Sequence, residues 1–344
     1  MLAVMKKEKA KGAVVSDAPI PSIGATDLLV KVKAASICGT DVHIYNWDGW
    51  SSNRIKPPMI FGHEFCGEVI ETGNMVKGVK KGDYISAESH IPCGYCYQCQ
   101  NNQMHICQNL KILGIDVNGC FAEYVLVPEI CVWKNLADMP VEIASIQEPL
   151  GNAVYAVLAE EVTGKSVVVF GCGPSGLFST GVAASSGAYP VISVIKHEFR
   201  RKIAEKMGAD KILKTGEDQV VDEILNVTNH EGADVVLEMT GNPDAIQQAF
   251  RVVKKGGRVT LFGISSDPVS LDIANQIIFK GIRVYGINGR IMYQTWHKMR
   301  SLLQSGKLNP KPVITHQFSL SEFEKGMSAM TAKDRKCGKV VLFA

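Results

Sequence analysis

Residues 171–176 read Gly-Cys-Gly-Pro-Ser-Gly, set between an apolar β-rich run at 167–170 and an Ala- and Gly-rich helical stretch. A G-x-G-x-x-G turn is weak evidence alone, but between a strand and a helix it constrains the fold strongly. Gly171 permits the tight turn, Gly173 lets the backbone approach a pyrophosphate, and Gly176 lets helix and strand pack closely. Pro174 and Ser175 open the helix, whose N-terminal N–H groups and dipole favour an anion. Apolar runs at 191–195, 234–237 and 258–262 then alternate with helical segments. Runs apolar on both faces belong in a parallel sheet covered by helices. The stretch therefore implies a doubly wound α/β domain that binds a dinucleotide.

The second strand of such a domain should end in an acid about 20 residues past the glycines, to hold the ribose 2′-hydroxyl. Here that place is taken by Ile195, followed by Lys196, His197 and, a little further on, Arg200 and Arg201. Basic side chains suit a 2′-phosphate, with Glu198 standing among them. Both NAD+ and NADP+ remain open, and the reading leans to NADP+.

The first 150 residues have a different character. Short alternating runs at 28–34 and 121–127, broken by Gly, Pro and Asp, read as half-buried strands with few helical periods. Within this part Cys93, Cys96, Cys99 and Cys107 follow C-x2-C-x2-C-x7-C spacing. Thiolates so close can surround one tetrahedral Zn2+ at about 2.3 Å, and four sulfurs close the shell, so the site is structural. The alternative is unrelated cysteines or a disulfide. The other six cysteines are scattered, as reduced thiols are, which points to the cytoplasm. A net charge of +3 makes no case for nucleic acid or a membrane surface. No apolar run approaches the ~20 residues of a membrane helix, and no secretory signal is read at the start.

A second metal site is suggested by Cys38, His63 and Glu64, with Glu148 near the change of character at 150. A catalytic zinc takes about three protein ligands and keeps one exchangeable position. Lone Cys and His residues are more often simply packed, and spacing does not settle this set.

The chain resembles the zinc-dependent medium-chain dehydrogenase family over its whole length. The resemblance rests on Gly62-His63-Glu64-x-x-Gly67 with Gly73 and Val76, on Lys81-Gly-Asp83, and on the cysteine lobe in the same order. It implies a GroES-like β-rich catalytic domain over residues 1–153 and 295–344 and a Rossmann domain over 154–294. It also implies two zinc ions per chain: Cys38, His63 and Glu148 hold the catalytic one, and Glu64 enters or leaves its shell. The reaction implied is oxidation of a secondary alcohol by hydride transfer to NAD(P)+, with Thr40 and His43 relaying the proton through the cofactor ribose to water.

Within the family the likeness runs to the branch that oxidises L-threonine to 2-amino-3-oxobutanoate. It is carried by residues 37–47, 89–91, 119–124, 148–154 and 286–290 with Thr295-Trp296. That branch places His90 near the catalytic zinc, and Arg290 is a candidate partner for a carboxylate. Homotetramers are usual among relatives. The competing readings are a sorbitol- or butanediol-type dehydrogenase, a zinc-free quinone reductase, and a zinc-ribbon binding module.

Overall fold

The computed structural model describes residues 1–334 and 336–344, which form two compact units, residues 1–149 with 314–344, and 150–313. The chain passes between the units at 149/150 and 313/314, where the sequence reading puts the crossings at 153/154 and 294/295. The reason for the second shift is local packing. The helix Pro174–Ser185 receives Leu308, whose Cδ1 lies 3.1 Å from where a Cβ on Gly181 would stand. The stretch after the helix Gln294–Gln304 is thereby committed to the second unit.

In the first unit the strand Asp27–Ile37 is central. It pairs antiparallel with Glu64–Thr72, with Tyr124–Pro128 and with the last strand, Lys339–Phe343. The sheet continues through Tyr84–Ala87 and Val132–Lys134 on one side and Ile314–Ser319 on the other. Alternation in Asp27–Ile37 buries Val30, Val32 and Ala34 between exposed Lys31 and Lys33, and the strand then runs wholly buried to Ile37. Phe61 and Phe121 meet edge to face at 5.3 Å, and Phe323 closes the cluster at 5.6 Å from each. Phe323 begins the helix Phe323–Thr331, which returns the C-terminal segment to the sheet. Helices are more frequent here than the sequence suggested: Gly39–Asn46 and Gly49–Arg54 are short and lack a strong apolar stripe.

The second unit is a six-stranded parallel sheet ordered Lys211–Lys214, Val191–Ile195, Val167–Phe170, Ala233–Glu238, Val253–Leu261 and Arg283–Gly286. That is the 3-2-1-4-5-6 order of the doubly wound nucleotide-binding fold. The order reverses between Val167–Phe170 and Ala233–Glu238, so the glycine turn leaves the sheet at its switch point. The central strands are wholly buried, which accounts for their uninterrupted apolar sequence. Two strands, Lys211–Lys214 and Arg283–Gly286, carry too few apolar residues to stand out in the sequence.

Candidate metal and nucleotide sites

Strand register builds the first site. Ser36 pairs with Glu64 across the antiparallel ladder, so the residues just past Ile37 face those just before Glu64. Cys38 leaves the strand as the N-cap of the helix Gly39–Asn46. His63 follows Gly62, which has φ +90° and no space for a side chain, since a Cβ would lie 2.6 Å from the Phe121 ring. The ligand atoms of Cys38, His63 and Glu64 come within 4.8 Å of one another. Glu148 does not join that trio. Its Oε1 accepts the Ser89 hydroxyl at 2.6 Å, and its charge still reaches His63.

Residues that spacing did not disclose complete this setting. Asp41 is fully buried, accepts the Cys38 N–H at 2.8 Å and stands 3.8 Å from His63 Nδ1. Burial pushes its carboxyl up to about 6, against the pull of His63 and the Cys38 N–H. Lys339, from the last strand, is 2% exposed and donates to the Ile37 carbonyl at 3.0 Å and to Glu64 Oε1 at 2.7 Å. Ser36 donates its hydroxyl to the same carboxylate. The His63 imidazole is raised to about 10, burial opposing, chiefly by Asp41 and Cys38. A buried pocket of thiol and carboxylates that draws positive charge this strongly fits a divalent cation with borderline-soft preferences.

Thr40 and His43 lie on the helix that Cys38 caps. Thr40 Oγ1 is 3.7 Å from Cys38 Sγ, whereas the His43 side chain is 60% exposed and pairs through Nδ1 with Asp48. His90 is in the same unit, buried, with Nδ1 donating to the His105 carbonyl at 3.1 Å. Arg290 belongs to the second unit, buried at 1% exposure, where its Nη1 donates to Asn152 at 2.7 Å. A Cβ on Gly151 would meet Arg290 Cδ at 2.6 Å. The two stretches Gly151-Asn152 and Arg290 are therefore mutual packing partners, and the structure gives the guanidinium this amide before any substrate carboxylate.

The cysteine lobe gathers as the spacing required. The four sulfurs of Cys93, Cys96, Cys99 and Cys107 lie within 4.8 Å of one another, with Cys96 Sγ 3.5 Å from Cys99 Sγ and 3.7 Å from Cys107 Sγ. Four thiolates about 2.3 Å from one zinc stand roughly 3.8 Å apart. Backbone N–H groups of Cys93 and Asn109 both point at Cys107 Sγ, at 3.3 Å, as a thiolate demands. All ten cysteines are free, so the disulfide alternative is excluded.

In the second unit Gly171 adopts φ +89°, and a Cβ on Gly176 would stand 1.9 Å from the Gly171 carbonyl, so neither position admits a side chain. At Gly173 a Cβ would enter space bounded only by Arg200 Nη1 at 3.5 Å, an opening beside the N-terminus of the helix Pro174–Ser185 that suits a phosphate. Arg200 is anchored there by the Cys172 carbonyl at 2.7 Å. Ile195 is 1% exposed at its strand end. Lys196 is exposed, and Glu198 is engaged by Arg201 at 2.5 Å and Lys214 at 3.7 Å.

Comparison with known proteins places the chain. Residues 24–138 match the alcohol dehydrogenase GroES-like domain family, and residues 174–305 match the zinc-binding dehydrogenase family. An L-threonine 3-dehydrogenase of Bacillus licheniformis is 50% identical over 99% of this chain and 98% of its own length. The chain belongs to the zinc-dependent medium-chain dehydrogenase family. Another member, an L-threonine 3-dehydrogenase of Pyrococcus abyssi, is 49% identical over 99% of the chain and 98% of its own. Among solved structures, a zinc-binding dehydrogenase of Sinorhizobium meliloti bound to NADP superposes with a TM-score of 0.91 at 30% identity, covering 100% of this chain and 99% of that one. The chain is accordingly a dehydrogenase of alcohols that works with a nicotinamide cofactor, and the binding-module reading falls. Among the described residues no helix is long and apolar enough to cross a membrane.

Proposed function

We propose that the chain oxidises the C3 hydroxyl of L-threonine to 2-amino-3-oxobutanoate, passing the hydride to NAD(P)+. The observation that carries this reading is identity near one half, across both units, with relatives named for that reaction. Cys38 and His63, with Glu64 and Glu148 as the available carboxylates, would hold the catalytic zinc, and Cys93, Cys96, Cys99 and Cys107 the structural one. Bound there, zinc supplies a Lewis acid that lowers the pKa of a hydroxyl. Lys339 and Ser36 keep Glu64 paired, and Ser89 orients Glu148. The Thr40 hydroxyl beside Cys38 receives the proton, and His43, three residues on along one helical face, delivers it to water.

For the cofactor, a buried Ile195 where an acid is expected, with Lys196, His197 and Arg200 beyond it, supports NADP+ over NAD+. His90 is our candidate for the polar end of the substrate, and Arg290 serves through Asn152 to shape its own unit. A cytoplasmic homotetramer is the assembly expected by resemblance. The deciding experiment measures steady-state rates with L-threonine, sorbitol and 2,3-butanediol, each with NAD+ and NADP+. Threonine should be preferred; faster turnover of either diol or polyol overturns the substrate assignment and leaves the family intact.

A further inference from the structure

The turn after the helix Gly39–Asn46 gives His43 a partner that sequence reasoning did not supply. Trp47 ends that helix in the left-handed region, φ 56°, with its N–H bonded to the His43 carbonyl at 3.0 Å. The chain reverses, and Asp48 lands against the imidazole: its Oδ2 pairs with His43 Nδ1. Its Oδ1 accepts the Ser51 N–H at 3.0 Å and so caps the next helix, Gly49–Arg54. With both oxygens engaged, the carboxylate is fixed in direction. From the same short helix Trp50 stands edge-on to the His43 ring, 6.2 Å between centroids. His43 Nε2 makes no hydrogen bond among the described residues, and its side chain is 60% exposed.

We propose that Asp48 is a positioning residue that holds His43 in its Nδ1–H tautomer, leaving the Nε2 lone pair to accept the proton released when the alcohol is oxidised. The proposal rests on the relay reading of Thr40 and His43 given above. A neutral imidazole has one donor and one acceptor nitrogen, and the partner of one decides the role of the other. An ionised carboxylate only accepts, so Nδ1 carries the hydrogen and Nε2 carries the lone pair. Desolvation pushes the Asp48 carboxyl up, but the Ser51 N–H and His43 hold it below the usual range, so it is ionised throughout. The proton leaving the substrate hydroxyl arrives at Nε2 and forms an imidazolium whose Nδ1–H remains on Asp48. The Nε2 proton then passes to water and the starting tautomer returns. One hydride leaves to the nicotinamide and one proton to solvent per turnover, and Asp48 is never protonated.

The other charged groups around this helix are engaged elsewhere. Arg54 pairs with Asp116 at 2.7 Å, and Glu324 of the helix Phe323–Thr331 accepts the Tyr45 hydroxyl at 2.8 Å. Asp41 is buried against Cys38 and His63, and Lys6 donates to the carbonyls of Gly12 and Tyr45. Asp48 is thus the carboxylate that addresses His43.

The test uses the full-length, zinc-loaded enzyme. Asp48→Asn retains an oxygen for the Ser51 N–H but turns an amide NH2 toward Nδ1, which selects the opposite tautomer. In 15N-histidine-labelled protein, with the His43 signal assigned by its loss in His43→Ala, wild type should show Nδ1–H and Asp48→Asn should show Nε2–H. The Asn variant should lose about 10- to 100-fold in kcat with little change in the KM for threonine, and Asp48→Glu should recover much of it. A wild-type His43 in the Nε2–H form overturns the proposal. So does an Asp48→Asn enzyme with the flipped tautomer and unchanged kcat while His43→Ala is impaired. Full activity in His43→Ala instead overturns the relay reading itself, and this inference with it.

Discussion

At the scale of single residues, Ile195 has the most direct consequence for the cofactor. A dinucleotide fold of this order places an acid at the end of its second strand, where the carboxylate accepts the ribose 2′-hydroxyl of NAD. With Ile195 buried and Lys196 exposed beside the anchored Arg200, the tip repels no phosphate. Ile195→Asp should therefore move preference toward NAD. A charge-assisted hydrogen bond contributes about 1.5–3 kcal/mol, so the ratio of kcat/KM values for NAD and NADP should rise roughly 10- to 100-fold. An unchanged ratio would show that this position does not read the ribose. Ile195, the glycines and the cysteine quartet were all legible in the sequence because each is a local pattern whose meaning lies within a few residues. Asp41, Asp48 and Lys339 were not. Asp48 reaches His43 only because Trp47 reverses the chain, and Lys339 reaches Glu64 only through a strand pairing.

At the scale of elements, the C-terminal helix shows how a start signal carries stability. Ser319 and Glu322 form a capping box just ahead of Phe323–Thr331: the Ser319 N–H donates to Glu322 at 3.1 Å and its hydroxyl at 3.0 Å, while Lys325 pairs with the same carboxylate at 2.7 Å. Ser319→Ala should lower stability by about 1 kcal/mol in chemical unfolding of the first unit. Glu322 is held down to about 2 by Lys325 and by the Ser319 N–H and hydroxyl. A carboxylate depressed in the folded state stabilises above its unfolded value of 4.5 and ceases to do so as pH falls toward 2. The stability gap between wild type and Glu322→Gln should be constant from neutral pH to about 5 and shrink below it. A gap that widens on acidification would contradict the pairing. The boundary at 313/314 belongs to the same scale. The helix Gln294–Gln304 looks in sequence like the start of the return to the first unit, because its buried residues, Thr295, Trp296 and Met299, do not say which sheet they cover. Only the seat that Gly181 makes for Leu308 shows that it stays with the nucleotide-binding sheet.

At the scale of the whole molecule, the described residues offer two candidate metal sites of different make-up, one of four thiols and one of thiol, imidazole and carboxylate. The cysteine lobe contributes no sheet beyond the two-stranded pairing of His90–Ile91 with Lys111–Ile112, and its small core consists largely of the cysteines themselves. On the proposed structural-zinc reading, such a lobe depends on the metal for order. If the chain holds the two zinc ions proposed, Cys99→Ser should drop the content to one per chain by elemental analysis and lower the Tm; even ~2 kcal/mol corresponds to about 4–8 °C for a unit of this size. Loss of both zinc ions in this variant would show that the two sites load together.

The strand Lys339–Phe343 has a further consequence, for the order of events on the ribosome. It pairs with Asp27–Ile37, and its first residue supplies the cation for Glu64. The partner strand is made well before it, and the seat between them stays open until Lys339–Phe343 emerges. Residues 150–313 are complete by then and can fold as a unit while they wait. A chain that stops before Lys339 therefore lacks both the strand that pairs with Asp27–Ile37 and the ammonium that balances the buried Glu64 carboxylate. Closure of the candidate metal site around Cys38, His63 and Glu64 thereby waits on the strand Lys339–Phe343.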